Sequence, residues 1–265
     1  MRRSSLFWGI VLVLVGGILL LDNLGFFARF NISVWTLIWP LFLIALGVWI
    51  LAGSFFRGSA EMEHAVVRLE GAGRARIRIQ HGAGRLNFGP GNTPDVLLEG
   101  DFGGGVNVES HRSGDTLEAT LKTAMSFFPF MWMPGSGLNW NVSLNRDIPL
   151  ELKLEVGACE TRLDLVDLKV ADLNVESGAS STEVTLPANA GATHARFQTG
   201  AASVKIHVPP GVSAHIRTSG ALSSTRVDEA RFPRMGDAYQ SPDYSTAANR
   251  ADIDIEMGVG SVEVY

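Results

Sequence analysis

The sequence predicts a two-helix transmembrane hairpin followed by an all-β domain, a β-solenoid whose coils are about 20 residues long. Three observations support this fold class. Two long uncharged apolar runs lie near the N-terminus, apolar residues alternate as in strands beyond residue 60, and a short Gly-Ala break recurs within that alternation. The predicted domains are residues 1–57 for the hairpin and residues 61–265 for the solenoid.

The first apolar run, residues 6–21, contains no charged residue. A spanning helix needs about 17 to 25 predominantly apolar residues, so we predict a span over about 6–24 that extends past Asp22. A cleaved signal peptide is the alternative, because two arginines precede the run. The length of the run, the missing small-x-small cleavage site and the second apolar run that follows at once favour a membrane span.

The second run, residues 34–53, also lacks charge and predicts a second span. Arginines lie before the first span and at Arg57 after the second, whereas the connecting loop holds one arginine, Arg29. The positive-inside rule therefore predicts a multi-pass protein with both termini in the cytoplasm. The single cysteine, Cys159, cannot form an internal disulfide, which is compatible with a reducing compartment.

Beyond residue 60 the chain reads as short alternating strands bounded by turn residues. With a small break residue counted as position zero, apolar residues recur at −5, −3, +4 and +6. In the loosest copy Ser219 is taken as zero and Gly220 lies one step later. The predicted structural bends are Gly82, Gly157, Gly178, Gly200, Ser219, Gly220 and Gly258. Two short strands per unit cannot bury their apolar face alone, so the units must stack.

The recurring Gly-Ala break has a structural and a chemical interpretation. Glycine at a bend tolerates positive φ and lets stacked backbones approach closely. A phosphate-cradling loop is the alternative, but the known glycine-rich phosphate motifs require a helix after the turn. Here a strand follows each time, which favours bends. Two insertions interrupt the repeat, near 121–147 and 229–250.

Signals for catalysis are absent from the sequence. It contains no HExxH, no paired cysteines and no GxSxG, so no catalytic residue, metal site or cofactor is predicted. The net charge of −5 argues against a nucleic-acid partner, which favours a basic face. A carbohydrate-active β-helix enzyme remains a minor alternative, with Glu160, Asp164, Asp167 and Asp172 as its outward acidic candidates.

One segment of the β domain is rich in aromatic residues and methionine, "SFFPFMWMPG" at residues 126–135. It could cover an open end of the solenoid, as capping segments do. Alternatively it contacts a partner, a second copy or the bilayer surface. The candidate interaction residues are Phe127, Phe128, Phe130, Met131 and Trp132.

Four stretches of the sequence resemble a known family. Residues 5–25, "SLFWGIVLVLVGGILLLDNLG", and 35–51, "WTLIWPLFLIALGVWIL", resemble the LiaI/LiaF-type transmembrane hairpin of bacterial envelope-stress proteins. Residues 148–187 and the C-terminal 251–265 resemble the LiaF C-terminal, or toastrack, domain. This chain differs from longer relatives in its two predicted spans instead of four and in its bulky aromatic segment.

The resemblance implies a membrane-tethered β-solenoid in the bacterial cytoplasmic membrane that is not an enzyme. It implies regulation or sensing of cell-envelope stress through a two-component system, with the lipid bilayer and a histidine kinase or another membrane protein as partners. A membrane-tethered scaffold that self-associates through the open ends of its solenoid is the alternative function, and a homo-oligomer is its expected form.

Overall fold

The computed structural model describes residue 43 and residues 62–124 and 138–265. The two predicted spans, apart from residue 43, and the aromatic segment lie outside these residues. Contacts divide the chain into two units, Met1–Gly58 and Ser59–Tyr265, and every strand below belongs to the second unit. Within the described residues no helix has the length and apolar character needed to cross a membrane.

The described part of the β domain forms one 13-stranded sheet. Its strands are β1 (Met62–Arg68), β2 (Arg74–Pro90), β3 (Val96–Gly103), β4 (Val106–Ser113), β5 (Thr116–Thr123), β6 (Asn139–Leu144), β7 (Pro149–Asp164), β8 (Lys169–Thr185), β9 (Ala192–His207), β10 (Ser213–Val227), β11 (Arg234–Met235), β12 (Ala238–Gln240) and β13 (Arg250–Val264). The predicted all-β, solenoid-like fold is confirmed.

The long strands stack in parallel in the order β2-β7-β8-β9-β13-β10. The C-terminal strand β13 therefore lies between β9 and β10, so the stacking order departs from the order along the chain. Residues 228–249 carry the chain from β10 to β13 and include the short strands β11 and β12. At the other end, β6, β3 and β1 continue the sheet beside β2.

Each coil is one bent strand of 15 to 17 residues rather than the two separate strands that the sequence suggested. In β7, Leu154 and Val156 are buried before the break and Cys159 is buried after it, whereas Gly157 and Ala158 are both exposed. Two consecutive outward residues shift the alternation by one position. Both halves of the strand consequently turn their apolar side chains toward the same hydrophobic core.

The strand register aligns the glycines of the break and corrects one predicted bend. The residues flanking the breaks are paired, so Gly82, Gly157, Gly178, Gly200 and Gly258 occupy equivalent positions on neighbouring strands. In β10 the equivalent residue is Ala221, because Gly220 pairs with Met257 and Leu222 with Val259. The assignment of Ser219 as the break was wrong by two residues. An alternation of period two fits almost equally well after a shift of two, so apolar spacing alone did not fix the offset.

The glycine column is explained by close stacking of backbones. A Cβ atom on Gly258 would lie 2.6 Å from the carbonyl oxygen of Gly200, and one on Gly200 would lie 2.7 Å from that of Gly178. These glycines do not have positive φ. Positive φ occurs instead two residues later, at Gly84 (129°) and Gly260 (147°). At the break itself, glycine is therefore required by the close approach of stacked backbones. The need for positive φ applies two residues later.

Candidate interaction surfaces

The outward face of the stack is covered by ion pairs between neighbouring strands. Arg76 contacts Glu118 on β5 at 2.8 Å and Glu151 on β7 at 2.7 Å. Its hydrogen bond and charge attraction to Glu151 raise the pKa of Arg76. At the opposite end Arg217 donates to Asp254 at 2.6 Å, and this bond lowers the pKa of that carboxyl. Because opposite charges alternate across strands, this face neutralises itself.

Two of the four acidic candidates for carbohydrate chemistry make structural contacts, and the other two lie at separate positions on the surface. Glu160 pairs with Arg85 at 2.9 Å, and an Asp164 carboxylate oxygen accepts a bond from the Val166 amide at 3.4 Å. Asp172 is paired in register with His194 on β9, and Asp167 lies in the turn between β7 and β8. Among the residues that the structure describes, no group of three or more His, Cys, Asp or Glu side chains is arranged to hold a metal ion.

Two shallow hollows follow the glycine column, where few side chains project. One of about 490 Å³ is lined by residues of β9, β10 and β13, including Gln198, Gly200 and Glu256. The other, of about 410 Å³, is lined by residues of β7, β8 and β9, including Glu155. A hydrogen bond from the Gln80 side chain at 2.7 Å is the main cause that lowers the pKa of Glu155. This carboxylate stays ionised and is unsuited to act as a general acid.

The aromatic segment interrupts a coil at the position of the break. β5 pairs with the first half of β2 and β6 pairs with its second half, so together they form the coil stacked on β2. The predicted interaction residues, Phe127, Phe128, Phe130, Met131 and Trp132, lie outside the described residues. The structure places only the flanks of this segment, at Ala124 and Leu138.

The first flank lies beside the start of the β domain. The Ala124 amide donates to the Gly105 carbonyl at 3.4 Å. A Cβ atom on Gly105 would lie 3.2 Å from the Ala124 Cβ and 3.1 Å from a carboxylate oxygen of Glu63. The same Glu63 carboxylate accepts a bond from the Val106 amide at 2.9 Å. Ala124 and Glu63 are therefore neighbours across the turn between β3 and β4.

The second flank contacts the end of β3, close to the same turn. Trp140, which is fully buried, donates from its indole Nε1 to the Gly103 carbonyl at 3.3 Å. Gly103 is the register partner of Met62, the first residue of β1. The flank at Ala124 thus lies next to Glu63 of β1, whereas the flank at Trp140 contacts β3, the strand between β1 and β6. The sequence showed the segment by its composition but gave no sign of this position.

His81 on β2 is a buried histidine next to this flank. Its side chain is 2% exposed, and its ring lies 4.6 Å from that of Trp140 between centroids. The backbone of Leu138 and of Ala83 lies near the ring, but neither ring nitrogen makes a hydrogen bond of good geometry among the described residues. Burial lowers the pKa of His81, because the charged ring would lose its hydration.

Replacing His81 by leucine should make the β domain less sensitive to acid. A histidine whose pKa is lowered in the folded state takes up its proton more readily when unfolded, so stability falls as the pH drops below about 6.5. The urea midpoint of the wild type should therefore fall further than that of H81L between about pH 7 and about pH 5.5. Labelling of the buried Cys159 with a pyridyl disulfide, which reacts at acidic pH, reports unfolding. Equal falls in the two proteins would contradict this role.

The far end of the stack has a partly open edge. β12 pairs with β10 only from His215 to Arg217. Beyond that point the outer side of β10 has no strand partner among the described residues. Leu222 there is 73% exposed and Val259 beside it on β13 is 51% exposed. Apolar spacing did not reveal this edge, since it depends on which strand is last in the stack.

Comparison with protein families gives two matches. The model of the N-terminal domain of toast_rack, DUF2154, matches residues 56–207, which is more than half of the chain. The chain belongs to the toast-rack family. The model of the LiaI-LiaF-like transmembrane region matches residues 6–51. The second match indicates that this toast-rack protein has a LiaI-LiaF-like transmembrane region and is a membrane protein, in agreement with the resemblance noted in its sequence.

Solved structures share the toast-rack fold. The crystal structure of a candidate cell adhesion protein from Clostridium sporogenes is 20% identical, with a TM-score of 0.72 over 77% of this chain and 98% of that chain. A candidate adhesin from Bacteroides fragilis is 9% identical, with a TM-score of 0.29 over 78% and 98% of the two chains. The similarity to the first structure shows a shared fold and no more. The similarity to the second structure is too low to support a conclusion. None of the curated proteins matches this chain.

Proposed function

We propose that this toast-rack protein regulates or senses cell-envelope stress by modulating a two-component system through protein contacts. It does so without catalysis, from the bacterial cytoplasmic membrane, with both termini in the cytoplasm. The observation that carries the proposal is that one chain combines a LiaI-LiaF-like transmembrane region with a β domain in which both flanks of the aromatic segment contact the end of β3 or the turn that follows it.

The length of the connection supports a role at the membrane surface. Residue 53 ends the second predicted span and Met62 begins β1, so extended chain keeps Met62 within about 32 Å of that end. Because Ala124 neighbours Glu63, the aromatic segment starts within a similar reach. An apolar segment connected in this way can contact bilayer headgroups or the juxtamembrane helices of a histidine kinase.

The β domain supplies a rigid support for that contact. Its core is continuous across both halves of the long strands, and its outer face is held by ion pairs between strands. The only thiol, Cys159, is buried, and burial raises its pKa to about 12, so it is not a redox sensor in the folded protein. We therefore place the response to stress in the membrane region and the aromatic segment.

The double variant F130S/W132S of the full chain tests the contact in native membranes. We expect it to lose most co-purification with its histidine kinase and to alter output from a stress-responsive promoter, while Cys159 remains protected from labelling. Met235→Ser removes an exposed apolar side chain, 60% accessible, at the far end of the sheet and is the matched control. Normal kinase association and output in the double variant would refute the proposed contact.

A compartment reporter fused after Tyr265 checks the orientation on which the proposal depends. A fused reporter that functions only in the cytoplasm should be active. Activity outside the cell would contradict a regulator that contacts the cytoplasmic part of a kinase.

A further inference from the structure

The second half of β10 has an edge with no strand partner among the described residues, and this edge is unusual in how little protects it. Sheet edges in soluble proteins are commonly blocked by lysine, proline, a bulge or a covering segment. Between Thr218 and Val227 there is no lysine and no proline, and the register with β13 runs without an indicated bulge. The segment after β10 folds back over only the first half of the strand, through β12.

The side chains along this edge are small, polar or already neutralised. Ser223, Ser224 and Thr225 line its centre, and the one charged residue, Arg226, pairs with Glu263 of the neighbouring strand at 2.9 Å. An approaching strand would therefore meet no unpaired charge. Its backbone could satisfy the outward N–H and C=O groups of β10.

Two exposed apolar side chains lie just after the break, one on the edge strand β10 and one beside it on β13. The position after the break is alanine on four consecutive coils, from Ala83 on β2 through Ala158, Ala179 and Ala201. It becomes Val259 on β13 and Leu222 on β10, and both side chains are exposed. The exposed apolar surface thus increases toward β10, whose outer edge is partly unpaired among the described residues.

We propose that a second copy of this chain pairs with β10 edge to edge, antiparallel, about a two-fold axis at Ser224. Such an interface is isologous, because the same residues contribute from both copies. In this register Ser223 lies opposite Thr225 of the second copy, and Leu222 lies opposite the aliphatic stem of Arg226. The two Arg226 side chains are about 14 Å apart along the strands, beyond the screening length in physiological salt.

Two features favour a second copy of this chain over another partner. The side chains of β10 are compatible with those of an identical antiparallel strand, and both copies are anchored in one membrane. An edge of this length gives a weak contact in dilute solution. Anchoring both copies in one membrane raises their effective concentration, so that a weak pairing becomes populated. The inference goes beyond the proposed regulatory function and does not depend on the aromatic segment.

Ser224→Cys in the full chain tests the proposal by oxidative cross-linking in native membranes. A cysteine on the two-fold axis faces its copy at a distance that a disulfide can bridge. Ser181→Cys is the matched control, because Ser181 is exposed in the same column of side chains but lies on β8, between β7 and β9. We expect S224C to form at least about five times more disulfide-linked dimer than S181C.

A second substitution and two further outcomes test the register and the identity of the partner. Adding Leu222→Lys to S224C places a cation opposite Arg226 and should reduce the dimer several-fold, while Cys159 stays protected. Equal cross-linking of S224C and S181C would overturn the pairing. A mixed disulfide between S224C and a different protein would overturn the assignment of a second copy as the occupant, and insensitivity to Leu222→Lys would overturn the proposed register.

Discussion

Gly258→Ala should lower the free energy of unfolding of the β domain by about 2 to 3 kcal/mol. The added Cβ would lie 2.6 Å from the carbonyl oxygen of Gly200, and that oxygen belongs to the backbone of the adjacent coil. Relief therefore requires two stacked strands to separate locally, which weakens their ladder of hydrogen bonds. Labelling of Cys159 in urea measures the change, because this thiol is 4% exposed in the folded domain.

Gly82→Ala is the matched control for the glycine column. Gly82 occupies the equivalent position on β2, yet an added Cβ meets no described atom within 4 Å. We expect G82A to change stability by less than about 1 kcal/mol. If G258A and G82A behave alike, close stacking is not the reason for glycine at the break.

Trp140→Ala should destabilise the domain by about 3 to 5 kcal/mol, the range for removing a large buried aromatic side chain. Its ring packs edge-on against Phe102 of β3, with centroids 5.0 Å apart, and also contacts His81 of β2. The indole further donates to Gly103. Truncation leaves a cavity where three strands meet and frees the turn that holds Glu63 beside Ala124.

Trp140→Phe separates the packing of Trp140 from its hydrogen bond. Phenylalanine keeps most of the aromatic contact with Phe102 but cannot donate to Gly103, so we expect a loss of about 1 to 2 kcal/mol. Urea unfolding followed by Cys159 labelling compares both variants with the wild type. A loss in W140A no larger than in W140F would show that the ring does not support this corner of the core.

The coil and its glycine column were predictable because they are local. Alternation in β7, β8 and β9 places apolar residues at fixed offsets from Gly157, Gly178 and Gly200, and any stacked arrangement needs them buried together. The insertion of β13 between β9 and β10 was not predictable in this way. It depends on pairing between distant segments, and β13 and β10 both carry the same alternation whichever of them lies last.

The candidate interaction surfaces also differ in whether local sequence could reveal them. Composition alone identified the aromatic segment around Phe130 and Trp132. The position of its first flank, Ala124, beside Glu63 depends on β5 and β6 sharing one coil against β2, a long-range arrangement with no local signature. The open edge at Leu222 was missed for a related reason, since a strand in the middle of a sheet and one at its edge differ only in their neighbours.

The central claim, that this toast-rack protein regulates a two-component stress response, is tested most directly by promoter output in its native host. Output from the stress-responsive promoter is measured, with and without a cell-wall antibiotic, in a strain lacking the chain. The same strain is complemented with the full chain or with residues 1–58 alone. We expect a several-fold change in output on deletion, which the full chain restores and the membrane unit alone does not. Unchanged output on deletion, with the kinase and its regulator intact, would contradict it.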